Sequence, residues 1–264
     1  MKNKILSHLP GDFPWQVHWY NTIDSTNTRA KEMAALGAPH GTVLVAGHQT
    51  QGRGRMGRSF SSPKDMGIYL SVILRPDCAA TQLMHLTCAA AVAMCDAVED
   101  AANVRPGIKW INDLVVGNKK LGGILTELSL VPGSDRVEYA VIGIGINCCQ
   151  TPADFPEEIR GIATSLLQIT EKAPDRVALA AAMIRKLKEM DSRLFSQKDA
   201  LMDTYRKNCI TLGQDVLVLR GEEKRYGTAL NVDTDGGLVV QFCDGATQTV
   251  DSGEVSVRGM YGYV

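Results

Sequence analysis

Along the first 150 residues the apolar positions switch repeatedly between a spacing of two and a spacing of three to four. Residues 16–23 (QVHWYNTI) read as a strand, and 26–36 (TNTRAKEMAAL) as a short helix, with Asp24 and Ser25 as capping candidates and Gly37 as its stop. Strands follow at 42–47 and 67–74. Over about 80–102 runs an alanine-rich helix whose apolar residues surround it on nearly all sides, which predicts burial. Residues 107–116, 121–130 and 137–147 are rich in Ile, Val and Leu and read as strands, the last two joined by the turn VPGSD. From 175 to 195, Val177, Ala180, Ile184 and Leu187 keep helical spacing behind the cap candidate Asp175, and a second helix covers about 199–207.

The pattern changes at Leu212-Gly213. Short alternating strands (DVLVLR, KRYGTALNV, GLVVQF, ATQTV, EVSVR) are separated by GEE, DTDGG, CDG and DSG turns, which predicts a small β-barrel. The fold class is therefore α+β: a mixed β-sheet backed by helices over residues 1–210, then a small β-barrel domain over 211–264.

Composition narrows the function classes. A chain of 264 residues with 45% hydrophobic content can bury a full core. Lys+Arg 28 balances Asp+Glu 29, so no overall basic excess points to nucleic acid, and any attraction to anions has to be local. Seven cysteines without a C-x-x-C pair fit a reducing compartment. The N-terminus lacks the apolar core of a signal peptide and no stretch reads as a membrane span, so the expectation is a cytoplasmic protein with no membrane partner. None of the five histidines has metal-ligand spacing and no G-x-S-x-G occurs, which argues against a covalent enzyme intermediate.

The local cationic feature is GRGRMGR at 52–58. Gly52, Gly54 and Gly57 match G-x-G-x-x-G literally, but a dinucleotide site needs that turn to open a helix, and here Ser59–Asp65 lead into a strand. The segment is also too short and too poor in aromatics for a nucleic-acid grip. Arg53 and Arg55, two apart, can aim their guanidinium forks at one anion while Gly52 and Gly54 let the backbone approach it. A loop so rich in glycine loses much entropy on ordering, so it is expected to close over a ligand. Arg58 has no assigned role.

Several stretches together resemble the biotin protein ligases: IDSTNTRAKE (23–32), AGHQTQGRGRMGRSFSSP (46–63), GIYLSVILRP (67–76), KWINDL (109–114), KKLGGILTEL (119–128), VIGIGINC (141–148) and GEVSVR (253–258). The resemblance covers about residues 16–260. It implies a catalytic domain like that of class II synthetases and biotin/lipoate ligases with an SH3-like barrel behind it. The implied activity activates biotin with ATP and Mg2+ as biotinyl-5′-AMP, then transfers it to a lysine of a biotin carboxyl carrier protein.

Residue by residue, the resemblance implies that Ser25, Thr26, Asn27 and Gln49 surround biotin's ureido ring, whose mixed donors and acceptors suit hydroxyls and carboxamides. Gly52, Arg53, Gly54, Arg55 and Lys120 fall around the carboxylate and α-phosphate, where fixed positive charge brings two anions together. Gly122, Gly123, Gly143 and Gly145 suit a ligand lying against strand backbone. Phe60, Asn112 and Asn147 are nucleotide-binding candidates, and Asp113 is the metal candidate or an orienter of the acceptor lysine. Arg55, Lys120 and Asp113 are the catalytic candidates.

Two positions depart from the family pattern: Ile111 stands where K-W-P-N-D has proline, and Phe60 where tryptophan is frequent. Because the pattern begins at about residue 16, a form without the DNA-binding domain of some relatives is expected, with no nucleic-acid partner. Open sheet edges leave a homodimer as a further expectation. The rival readings are a lipoate or octanoate ligase and a non-catalytic biotin sensor.

Overall fold

Seven strands from the first 150 residues join into one mixed sheet. The structure is a computed structural model and describes residues 1–251 and the backbone of residues 256–259. After the short helix α1 (Lys2–Leu6) come β1 (Gln16–Tyr20), α2 (Thr26–Ala35), β2 (Thr42–Ala46), β3 (Gly67–Leu74) and α3 (Leu86–Ala102). They are followed by β4 (Gly107–Lys109), β5 (Asp113–Val116), β6 (Lys119–Leu130) and β7 (Val137–Asn147). The order is β1-β2-β3-β7-β6-β5-β4, with only β1 and β2 parallel.

Alternation along the strands assigns the two faces. Leu70 and Val72 of β3 and Ile142, Ile144 and Ile146 of β7 join the large core that includes α3 and α6 (Arg176–Arg193). On the other face Leu44, Ile73, Tyr139 and Val141 pack with Ala30 and Ala34 of α2. Between α5 (Leu166–Thr170), which follows the single turn α4 (Glu157–Arg160), and the second domain run α6 and α7 (Lys198–Asn208). Asp175 caps α6 through bonds from the amides of Val177 and Ala178, as its sequence context predicts.

The expected helix at 80–102 is split: a 3-10 turn covers Ala80–Leu83 and α3 begins after His85. Ala80–Ala102 is long and apolar enough to cross a membrane by length and composition alone, which the sequence reading had not expected; most of it lies buried in the core. The expected strand at 107–116 is a hairpin, β4 paired with β5 around Trp110–Asn112, and the Trp110–Ile111 peptide is cis. Its turn is held by distant partners: Thr211 Oγ1 accepts from the Trp110 amide, and the Tyr205 hydroxyl donates to the Ile111 carbonyl.

The second domain is a five-stranded antiparallel sheet of β8 (Asp215–Arg220), β9 (Glu223–Val232), β10 (Leu238–Phe242), β11 (Thr247–Val250) and β12 (Ser256–Gly259), in the order β11-β10-β9-β8-β12. Part of the GEVSVR block lies outside the described residues. This domain docks through the β9–β10 turn. There the Gly236 carbonyl accepts from Trp110 Nε1 at 2.9 Å, Lys198 meets Asp235 at 2.5 Å, and Arg206 Nε donates to the Val232 carbonyl at 2.6 Å.

Candidate active site

The α2 face of the sheet is open over its centre, and a cavity of about 840 Å³ lies there. Cross-strand register explains the opening. Ser71, Gly143 and Leu125 form one row across three strands, and Tyr69, Gly145, Gly123, Asp113 and Lys109 form the next across five. Residues in register share a face, so three glycines clear the floor while Lys109 and Asp113 bring charge to one end.

The glycines make room for protein side chains before any ligand. A Cβ on Gly143 would sit 1.9 Å from Asn27 Oδ1, and one on Gly145 would sit 2.3 Å from Cε1 of Phe60. The Phe60 ring therefore lies against β7 backbone, meeting Tyr69 edge-on at 6.4 Å. Gly52 is needed for loop packing, since its Cβ would meet the Phe60 carbonyl at 2.3 Å. Gly52 and Gly122 do not line the cavity, whereas Gly54, Gly123, Gly143 and Gly145 do.

One end of the cavity is polar and uncharged. Ser25 caps α2, accepting from the Thr28 amide, and also lines the cavity. Gln49 Oε1 accepts from the Thr26 amide at 2.8 Å and from its hydroxyl at 3.0 Å, while Nε2 donates to Ser62 Oγ at 2.9 Å. Ser71 Oγ lies 2.7 Å from Asn27 Oδ1 and 2.8 Å from Thr26 Oγ1. Asn27 Nδ2 donates to the Leu125 carbonyl and to Glu127 Oε2, at 3.3 and 3.0 Å. Every amide here is fixed in orientation by partners on β3, β6 or the loop before β3.

The other end is cationic. Lys120 Nζ pairs with Asp113 Oδ1 at 2.6 Å, and Arg55 NH1 donates to Asn112 Oδ1 at 3.1 Å. Burial is the main influence drawing the Arg55 guanidinium below its ordinary pKa; Asp113 opposes that shift and Arg58 adds to it. Arginine stays charged regardless. Arg53 stands between the two ends: its NH1 reaches Glu127 Oε2 at 3.2 Å, the same oxygen that accepts from Asn27. The loop itself folds as a tight hairpin: Arg53 bridges Ser59, the Gly54 amide donates to the Arg58 carbonyl at 2.7 Å, and Met56 and Gly57 take left-handed φ of 55° and 72°.

Of the predicted nucleotide residues, Phe60 and Asn112 line the cavity and Asn147 does not. Asn147 is buried at the end of β7, where its Nδ2 donates to the Thr164 carbonyl and its Oδ1 accepts from Gln150. Its amide is occupied by the Thr164 carbonyl and the Gln150 side chain. Residues the sequence reading passed over also line the cavity: Lys109, Trp110, Ile124, Leu125, Arg58, and Glu158 and Ile162 near α4. The 157–164 segment reaches the site because the Lys120 amide donates to the Ile162 carbonyl and the Lys120 carbonyl accepts from Thr164. Lys109 stands beside the singled-out KWIND motif, which was the available signal; nothing local marks Glu158.

For magnesium the donor set decides the form of binding. Among the described residues no group of three or more His, Cys, Asp and Glu side chains could hold a metal ion. Asp113 is already paired with Lys120. These residues do not form a protein cage for a resident magnesium ion.

Residues 19–147 match the Biotin/lipoate A/B protein ligase family, and residues 211–258 match the Biotin protein ligase C terminal domain. The Bifunctional ligase/repressor BirA of Bacillus subtilis is 36% identical over 231 residues, covering 86% of this chain and 70% of that one. The Biotin--[acetyl-CoA-carboxylase] ligase of Mycobacterium tuberculosis is 36% identical over 240 residues, covering 88% and 85%. The structure of the biotin protein ligase from Aquifex aeolicus in complex with biotin and ATP superposes with a TM-score of 0.77 at 31% identity, covering 92% of this chain and 99% of that one. The chain belongs to the biotin protein ligase family.

Proposed function

We propose that this chain is an ATP-dependent biotin ligase that forms biotinyl-5′-AMP and transfers the biotinyl group to a lysine of a biotin carboxyl carrier protein. The observation that carries this reading is the single cleft with an uncharged polar end, a glycine floor and a cationic end. Biotin has the matching sequence of groups: a urea, an apolar chain and a carboxylate. Thr26, Asn27 and Gln49 face the urea, and Gly123, Gly143 and Gly145 leave the chain room to lie flat.

In the first step a carboxylate oxygen attacks the α-phosphorus of MgATP, a P–O bond forms, and the bond to the β-phosphate breaks to release pyrophosphate. Two anions must meet for this, so Arg55 and Lys120 supply charge that is already in place and does not have to reorganise. Asp113 holds the Lys120 ammonium at a fixed position through their 2.6 Å contact, and Phe60 offers a face to the adenine. In the second step the acceptor amine attacks the carbonyl carbon of the mixed anhydride. The C–O bond to AMP breaks, and the amine gives up a proton to become an amide. The arginine loop keeps water from the anhydride between the two steps.

The test is pyrophosphate release from biotin and MgATP followed by labelling of a purified carrier domain. Labelling by lipoate or octanoate in place of biotin would refute the substrate assignment, and tight biotin binding without pyrophosphate release would favour a sensor.

A further inference from the structure

Glu127 takes no part in the chemistry above, yet it gathers donors from both structures that cover the cleft. Its Oε1 accepts from Lys31 Nζ at 2.7 Å, and its Oε2 accepts from Asn27 Nδ2 at 3.0 Å and from Arg53 NH1 at 3.2 Å. Lys31 and Asn27 belong to α2, Arg53 to the glycine-arginine loop, and Glu127 to β6. We infer that Glu127 is a positioning residue with two tasks, holding the Asn27 amide in one orientation and acting as the internal counter-anion of Arg53 until a carboxylate ligand displaces it. The inference rests on the functional reading above.

The two tasks separate chemically. A carbonyl oxygen suffices for the first, since Asn27 needs only an acceptor for its Nδ2; with that end fixed, Oδ1 is presented as an acceptor beside Ser71. The second needs the negative charge. An entering ligand carboxylate competes with Glu127 for the Arg53 fork and is also repelled by it. Lys31 moderates both effects by sharing the carboxylate. Burial raises the Glu127 pKa, but the bonds from Lys31 and Asn27 and the charges of Lys31 and Arg53 outweigh it, leaving the pKa below the ordinary value. The glutamate is therefore an anion when the ligand arrives.

Three substitutions in the full chain test this, read by calorimetric titration with biotin and with its alcohol analogue, in which CH2OH replaces the carboxylate. Glu127→Gln keeps the acceptor and removes the charge, so biotin should bind about two- to fivefold more tightly, the range expected for a half-exposed ion pair. Affinity for the alcohol should not change. Lys31→Met leaves Arg53 as the one cation paired with Glu127, beside the Asn27 amide, and should weaken biotin binding while leaving the alcohol unaffected. Glu127→Ala releases the Asn27 amide and should weaken both ligands. Biotin affinity that is unchanged or reduced in Glu127→Gln, or an equal gain for the alcohol, overturns the counter-anion role. A wild-type chain that binds neither ligand overturns the functional reading itself, and the inference with it.

Discussion

Substituting Gly143 by alanine puts the packing logic of the cleft to a direct test. The added Cβ would lie 1.9 Å from Asn27 Oδ1 and 2.6 Å from its Cγ, closer than atoms can approach, and both strand neighbours are fixed by pairing to β3 and β6. The Asn27 side chain has to leave. It then loses the bonds to the Leu125 carbonyl and the Glu127 carboxylate and the one received from Ser71. Neutral hydrogen bonds contribute about 1 kcal/mol each and a charged one about 1.5–3 kcal/mol. Replacing glycine in a strand returns about 0.5–1 kcal/mol of backbone entropy. With part of the lost bonding recovered from water, the net cost is about 2–3 kcal/mol, or a melting temperature lower by roughly 4–12 °C for a protein of this size. Biotin affinity should fall as well.

The assay is thermal unfolding combined with biotin titration, run as a double-mutant cycle with Asn27→Ala. Without the amide there is no collision, so Gly143→Ala should cost little in that background, leaving a non-additivity of about 2 kcal/mol. Gly123→Ala is the control: its nearest neighbour is the flexible Lys120 Cε at 3.2 Å, and a loss below about 1 kcal/mol is expected. If Gly143→Ala melts with the wild type and binds biotin equally well, or costs the same with and without Asn27, the reasoning is refuted.

Lys120→Ala should slow single-turnover pyrophosphate release about 10²- to 10³-fold, while lowering stability by less than about 1 kcal/mol because its pair with Asp113 is partly exposed; an unaltered rate removes Lys120 from the first step. Glu127 has a folded pKa below the ordinary carboxylate value of about 4.3, so it contributes stability above that pH which disappears as pH falls through the folded pKa. Glu127→Gln should accordingly be less stable than wild type near pH 7, with the gap closing below about pH 4 in urea melts; a gap independent of pH contradicts the assignment. Trp110→Phe leaves the Gly236 carbonyl without its indole donor and should cost about 1–3 kcal/mol by thermal melt, whereas an unchanged melt would mean that this bond does not hold the two domains together.

Local chemistry made much of the fold and site legible. Runs of apolar residues located β3, β6 and β7 almost to the residue, and the capping candidates Asp24 and Ser25 before a helical run marked the start of α2, where Ser25 is the cap. The dinucleotide reading of the arginine loop fails because a strand follows its glycines, and the structure shows that strand as β3. What could not be read depended on distant partners. Residues 107–116 are apolar enough for one strand, and distant partners, Thr211, Tyr205 and Gly236 among them, hold the turn that makes them a hairpin. Asn147 was a candidate only through the family resemblance, and the Thr164 carbonyl that its amide meets is 17 residues away. Glu127 lies 74 residues from Arg53 and 100 from Asn27, and no spacing within one element could connect them.

The stretch Ile142-Gly143-Ile144-Gly145-Ile146 writes two messages in alternate letters. Its isoleucines belong to the core shared with α3, and its glycines to the floor of the cleft. A slip of β7 by one residue against β3 and β6 would exchange them, driving three branched side chains into the cavity and leaving holes in the core beneath. A misregistered molecule could not persist as a stable but inactive species, because the error that blocks the substrate also removes the packing that holds the sheet. Correct pairing of this one strand is thus a condition of the packed core and of the open cleft at once.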